Sequence, residues 1–86
     1  MSAVLEDVLG ILDRSLSLGG RARRFNRDTP LLGAVPELDS MAVVNVIAAI
    51  EEHFGVHVPD DDISADTFQT VGSLAQLVES KLNATG

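Results

Sequence analysis

Residues 39–55 read DSMAVVNVIAAIEEHFG, and this stretch decides the fold. Met41, Val44, Ile47, Ile50 and Phe54 recur at the three- and four-residue spacing that lines one side of an α-helix. Val43 and Val46 make that apolar face unusually broad. Asp39-Ser40 supplies side chains that can accept hydrogen bonds from the unpaired N–H groups of a helix start. Gly55 follows the last apolar residue and can take the left-handed conformation that stops a helix. The expected helix therefore begins at Asp39-Ser40 and runs to Phe54.

Upstream, Ser2 to about Leu18 has the same character, with Val4, Val8, Leu12 and Leu16 at four-residue spacing and Leu5, Leu9 and Ile11 widening the stripe. Ser2 is the expected N-cap, and Gly19-Gly20 the expected stop. Between Gly19 and Asp39 lies a long connection without helical period, broken by Pro30, Gly33 and Pro36. Loops of this length in small domains tend to serve a function. Leu31, Leu32, Val35 and Leu38 are expected to tack it onto the core. Downstream, Val56 to Pro59 reads as extended, because the residue before proline avoids the helical region. Asp60, Asp61 and Asp62 read as the acidic start of a short helix. Thr70 is placed to cap a last helix from Val71 to about Leu82, with Leu74, Leu77, Val78 and Leu82 inward. None of these helices is long enough to be stable alone, so they must share one core. The expected fold is all-α, a single domain over residues 1–86 with three main helices and one short one.

Composition narrows the function. With 86 residues and a net charge of −7, the chain carries 45% hydrophobic residues, enough to build a core rather than a disordered acidic tail. Aromatics are only 3%, which suits packed helices better than a β-sandwich. Acidity argues against nucleic-acid partners, which are held by Lys and Arg. The absence of cysteine removes disulfides, thiolate metal sites and a Cys nucleophile. The longest apolar stretch, Met41 to Ile50, is too short to span a bilayer, and no basic leader precedes the first helix, so a cytoplasmic protein without membrane insertion is expected. Charge is unevenly placed. Residues 1–36 hold four acids and five arginines, whereas residues 37–86 hold nine acids and one base, Lys81.

Several side-chain constellations bear on chemistry. Ser40 has no histidine close enough in sequence to act as its base, so nucleophilic catalysis is not expected. At a helix N-terminus it is instead well placed to carry a phosphate-linked group. His53 and His57 have a metal-ligand spacing, but Gly55 and Pro59 interrupt the helix that spacing needs. Asp60, Asp62, Ser64 and Asp66 alternate like a calcium loop, yet Ala65 stands at its glycine position and Val71 at its final acid. The arginines of residues 21–27, with Phe25 among them, are expected to neutralise the acidic half or to contact a partner.

The segment Glu37-Leu38-Asp39-Ser40-Met41, following a loop punctuated by Pro and Gly, resembles the phosphopantetheine attachment motif of acyl carrier proteins. The likeness continues through residues 50–55 (IEEHFG), 58–61 (VPDD) and 67–74 (TFQTVGSL), in order and over nearly the whole chain. It implies a four-helix acyl-carrier-type bundle that is a carrier and not an enzyme. On this resemblance a phosphopantetheinyl transferase moves 4′-phosphopantetheine from coenzyme A onto Ser40, and the thiol then carries acyl groups as thioesters. An acyl-loading ligase and acyltransferase or synthase enzymes would be the further partners, and the carrier would be monomeric. Asp39, Met41, Glu51 and Glu52 are the expected partner-recognition residues; Asp39 also reads simply as a helix cap, and Met41 as core. Common fatty-acid carriers place acids two and five residues after the serine, where this chain has Ala42 and Asn45, so dedicated partners are implied. Leu38-Asp39-Ser40-Met41 also resembles D-alanyl carriers, leaving an aminoacyl or peptidyl cargo open. An unmodified helical adaptor with a partner helix against its second helix is the rival of a different class. The breadth of that helix also leaves open whether the bundle shelters an acyl chain or merely packs its core.

Overall fold

The ends of the helices are fixed by side chains whose identity is plain in the sequence. The structure, a computed structural model, describes residues 3–85, and its helices are α1 (Ala3–Ser15), α2 (Ser40–Phe54) and α3 (Val71–Thr85). At the start of α2 the Asp39 carboxylate accepts the Ala42 N–H at 2.8 Å, and at its end Gly55 adopts φ 67°. At the start of α3, Thr70 and Ser73 cap each other: Ser73 N–H donates to Thr70 Oγ1 at 3.1 Å, and Thr70 N–H to Ser73 Oγ at 3.0 Å. The reciprocal pair satisfies two backbone donors, as a capping box does, with Ser in place of the usual Glu or Gln. α3 extends past the expected Leu82 to Thr85. The expected cap at Ser2 lies outside the described residues.

α1 stops three residues earlier than the sequence suggests, and not at a glycine. Ser17 takes φ 54°, allowing Leu18 N–H to reach Asp13 O at 2.9 Å and Ser17 N–H to reach Arg14 O at 3.4 Å. This is a Schellman stop built on serine, a strained conformation worth about 1–2 kcal/mol against it. It is offset by the burial it permits, since Leu16 and Leu18 on either side both enter the core. Gly19 and Gly20, at φ 64° and 97°, then carry the chain round into a short 3₁₀ turn, Arg21–Arg24. The Asp13 carboxylate anchors this turn by accepting the N–H groups of Gly20 (2.9 Å) and Ala22 (3.2 Å).

The long connection is therefore not structureless. Its second half is strapped to the entry of α3: Leu31 N–H donates to Gln69 O, Leu32 N–H to Phe68 O, Val71 N–H to Thr29 O and Gly72 N–H to Arg27 O. Gly72 permits the closest of these approaches, because a Cβ there would sit 2.8 Å from the Arg27 carbonyl oxygen. An isolated antiparallel bridge joins Pro30 and Thr70. Leu31, Val35 and Leu38 are buried as expected, whereas Leu32 is 47% exposed. Adjacent residues of an extended segment point opposite ways, so Leu31 and Leu32 cannot both face the core.

α1 packs against both α2 and α3. One contiguous core results, with Val8, Ile11, Leu12, Leu31, Val46, Ile50, Phe68, Val71, Leu74 and Val78 almost completely enclosed. Among the described residues no polar or charged side chain is buried in it. The expected short helix at Asp60–Asp62 is a single 3₁₀ turn held by Asp62 N–H to Pro59 O and Ile63 N–H to Asp60 O. Ion pairing of Asp62 with Lys81 ties it to α3. The fold class stands as all-α, with three full helices and this turn in place of a fourth.

Candidate functional site

α2 buries only part of the apolar face that its periodicity suggests. The buried residues are Ala42, Val46, Ile47 and Ile50, while Met41 is 70% and Val44 61% exposed. The reading of Met41 as core is thus corrected, and with it the inward position of Val44. At about 100° per residue, Val44 lies nearly opposite Val46 on the helix, so the two cannot face the same side. Both sides of α2 are apolar. Ala42 is buried in the first turn of α2, in the same core cluster as Leu38 at the end of the strap.

Ser40 opens this helix and is exposed. Among the described residues its hydroxyl has no hydrogen-bond partner. The neighbouring Asp39 carboxylate accepts the Ala42 N–H through Oδ1. His53 is 13 residues further along the same helix, about 20 Å away at the helical rise. It lies 3.4 Å from Asp7 on α1, and His57 lies 3.3 Å from Glu51. Neither imidazole is placed to activate Ser40. Among the described residues no three His, Asp or Glu side chains gather as metal ligands.

Beside Ser40 an open groove of about 330 Å³ is walled by Leu32, Val43, Ile63 and Phe68. A second, of about 490 Å³, shares Val43 and Ile63 and continues along α2 past Ile47 and Ala48 to Val58. Leu32 and Ile63 join the site without a sequence motif to mark them. The signal for Leu32 was its place next to an inward Leu31; nothing local marks Ile63. An exposed hydroxyl at the rim of an apolar groove fits a phosphate-linked arm. The hydroxyl is free to form the ester, the first turn of α2 favours an anion, and the groove offers apolar surface.

The other expected recognition residues scatter along α2. Glu52 is exposed, but Glu51 is half-buried, accepting the Val58 N–H at 2.8 Å and pairing with His57. No charged side chain separates Ser40 from Ile50, so the exposed side of α2 after the serine is uncharged, with Met41, Val44 and Ala48 beside the amide of Asn45. On the other flank Glu37 is ion-paired with Arg21. Hydrogen bonding by its own backbone and by the Arg21 guanidinium holds the Glu37 carboxyl below the usual carboxylate range, with desolvation opposing them. Arg27 pairs with Glu79 at 3.6 Å, so part of the expected neutralisation of the acidic half by the arginines is present.

Comparison with known proteins agrees with this geometry. The family described as "Phosphopantetheine attachment site" matches residues 2–78. Acyl carrier proteins of Sinorhizobium fredii and Rhizobium meliloti are each 44% identical over 41 residues, 48% of this chain. That match spans half the length of each of these relatives. The solution NMR structure of a holo acyl carrier protein from Nitrosomonas europaea is 55% identical and superposes with a TM-score of 0.90, covering 95% of this chain and 99% of the other. The chain belongs to the phosphopantetheine-attachment family, the acyl carrier proteins, whose prosthetic group is 4′-phosphopantetheine.

Proposed function

We propose that this chain is a non-catalytic acyl carrier, one domain over residues 1–86, and that Ser40 Oγ is the attachment atom for 4′-phosphopantetheine. The observation that carries the reading is the Ser40 hydroxyl itself: exposed, without a hydrogen-bond partner among the described residues, and at the mouth of the apolar groove. When bound, the group supplies a thiol that holds cargo as a thioester. The chain's residues hold the anchor in place. Asp39 and the Ala42 N–H fix the first turn of α2, and the strap from Leu31 to Leu38 fixes the approach to it. As the phosphate ester forms at Ser40 Oγ, its proton leaves, the phosphoanhydride of coenzyme A breaks, and adenosine 3′,5′-bisphosphate departs.

Leu32, Val43, Ile63 and Phe68 offer apolar surface to an aliphatic acyl cargo. Asp39, Met41 and Glu52 are the residues offered to the transferase and to loading enzymes, and Glu51 contributes only from the side not engaged with Val58 and His57. The carrier works as a cytoplasmic monomer; among the described residues no helix is long and apolar enough to cross a membrane. Co-expression with a broad-specificity phosphopantetheinyl transferase, followed by intact mass, tests the assignment. The wild-type chain gains one phosphopantetheine and Ser40→Ala gains none. An unmodified wild-type chain, or a modified Ser40→Ala chain, overturns it.

A further inference from the structure

The 3₁₀ turn after α1 concentrates positive charge on an otherwise acidic molecule. All five arginines fall between residues 14 and 27, and three of them, Arg21, Arg23 and Arg24, stand on this one turn. Arg21 is held by Glu37 and Arg27 by Glu79. Arg14, Arg23 and Arg24 are exposed and have no carboxylate within ion-pairing distance among the described residues. Intramolecular neutralisation therefore accounts for two of the five. The platform under them is anchored. Ala22 is buried, Asp13 takes the N–H groups of Gly20 and Ala22, and Arg21 Nε donates to the Leu18 carbonyl at 3.2 Å.

Between this turn and α1 lies an open concavity of about 730 Å³, with Leu9, Gly10 and Ala22 lining it and Arg14 and Arg23 at its edge. Glu6 contributes one negative charge to the lining, and the Asp13 carboxylate there is already engaged by backbone donors. The concavity is separate from the groove at Ser40, yet the two regions are linked. The Arg21–Glu37 pair brings the turn to a point three residues before Ser40, a chain distance of at most about 11 Å. A partner engaging the group on Ser40 is within reach of the arginines.

We propose that the Arg21–Arg24 turn, together with Arg14, is a docking surface for an acidic protein partner, an enzyme whose carboxylate-bearing rim meets the arginines while it works on the group at Ser40. The proposal deepens the carrier reading and rests on it for the partner's activity. Charge complementarity selects the occupant. A polyphosphate chain would meet the same arginines but would be repelled by the net charge of −7 over its length, whereas a protein rim makes a local contact. Rim charges of this kind act chiefly on encounter rate and orientation, so the interaction should weaken with salt.

The test uses the full chain, isotope-labelled, with an oligoglutamate peptide interspersed with leucine as the probe. Backbone amide shifts should centre on Gly10, Gly19, Gly20, Ala22 and Arg23, and should leave Val44 and Ala48 unmoved. The paired reversal Arg23→Glu and Arg24→Glu should weaken binding about tenfold at low salt, and Arg23→Gln with Arg24→Gln should fall between. Both side chains are exposed, so the thermal midpoint should not change. Absent shifts, equal binding by the reversed variant, or tighter binding of an oligothymidylate at the same amides would overturn the proposal, the last assigning the turn to nucleic acid. Intact mass after transferase treatment of the reversed variant separates the two readings. Peptide binding lost in the reversed variant with Ser40 still modified supports the docking surface, and peptide binding absent from a wild-type chain that is modified removes the docking surface alone. Failure of Ser40 modification in the wild type removes the carrier reading and leaves the peptide result standing as a property of the turn.

Discussion

Asp39 has two candidate roles, and a pair of substitutions separates them. Its carboxylate accepts the Ala42 N–H at 2.8 Å and sits at the positive end of α2. Asp39→Ala removes the cap, costing about 1 kcal/mol, and the charge–dipole attraction, costing about 0.3–1 kcal/mol more. For a chain of this length each kcal/mol moves the thermal midpoint by about 4–8 °C. The expected fall is therefore about 5–15 °C. Asn is as good a cap as Asp, so Asp39→Asn loses only the charge–dipole part and should fall by a few degrees. Thermal unfolding by circular dichroism reads the first difference. The rate of phosphopantetheine addition, measured by intact mass well below both midpoints, reads the second. If the transferase reads the negative charge, Asp39→Asn is slow although it is folded. If Asp39 acts only as a cap, Asp39→Asn is modified at the wild-type rate. An Asp39→Asn variant as unstable as Asp39→Ala would refute the capping argument, as would an Asp39→Ala variant within a few tenths of a kcal/mol of wild type.

Gly72→Ala should destabilise the chain by about 1–2 kcal/mol despite the better helix propensity of alanine. Its Cβ would meet the Arg27 carbonyl at 2.8 Å, and overpacking costs more than propensity returns. Hydrogen exchange should accelerate at the Leu31, Val71 and Gly72 amides that form the strap, and a stabilised variant would show that the loop yields freely. Asp13→Ala leaves the Gly20 and Ala22 N–H groups without their acceptor and should cost about 2 kcal/mol in urea unfolding. Asp13→Asn, which keeps an acceptor oxygen, should recover more than half of that loss; equal losses would mean the charge and not the hydrogen bonds holds the turn. The Glu37 carboxyl, held low by its own backbone and by Arg21, stabilises the fold above the unfolded carboxylate pKa, and that contribution disappears as pH falls through the folded value. Arg21→Ala should raise the Glu37 titration midpoint followed by NMR without returning it fully to the ordinary value. An unchanged midpoint would leave Arg21 out of the cause.

The helix ends were legible wherever the capping residue acts on its own backbone. Asp39, Gly55 and Thr70 needed no knowledge of the fold, because their partners lie within four residues. Ser40 was legible for the same reason, as a hydroxyl at a helix start with no base nearby. What escaped depended on partners distant in sequence. Ser17 ends α1 ahead of two glycines because Leu18 has a buried place to go, and that place exists only once the bundle is assembled. Asp60–Asp62 has the composition of a helix start, but the chain gains more by turning once and burying Val58 and Phe68 on either side. Leu32 and Ile63 meet across a groove whose walls come from three separated segments, and no local pattern announces such a meeting.

The rotation of α2 carries the most consequence. A helix with apolar residues on both sides has two ways to face a core, and periodicity alone cannot rank them. The bundle chooses the side with Ala42, Val46 and Ile50, leaving Met41 and Val44 in water beside Ser40. Exposing two large apolar side chains costs the free chain a few kcal/mol that burial would have returned. Turning α2 to hide them would instead expose Val46 and Ile50 and would aim Ser40 elsewhere. The orientation of the serine and the exposure of its apolar neighbours are therefore one structural decision. On the carrier reading, the neutral surface left beside the anchor suits contacts that recover the hydrophobic loss when a partner arrives. The exposed charges of the arginine turn and of Glu52 and Asp60 are then free to steer different partners to the same serine.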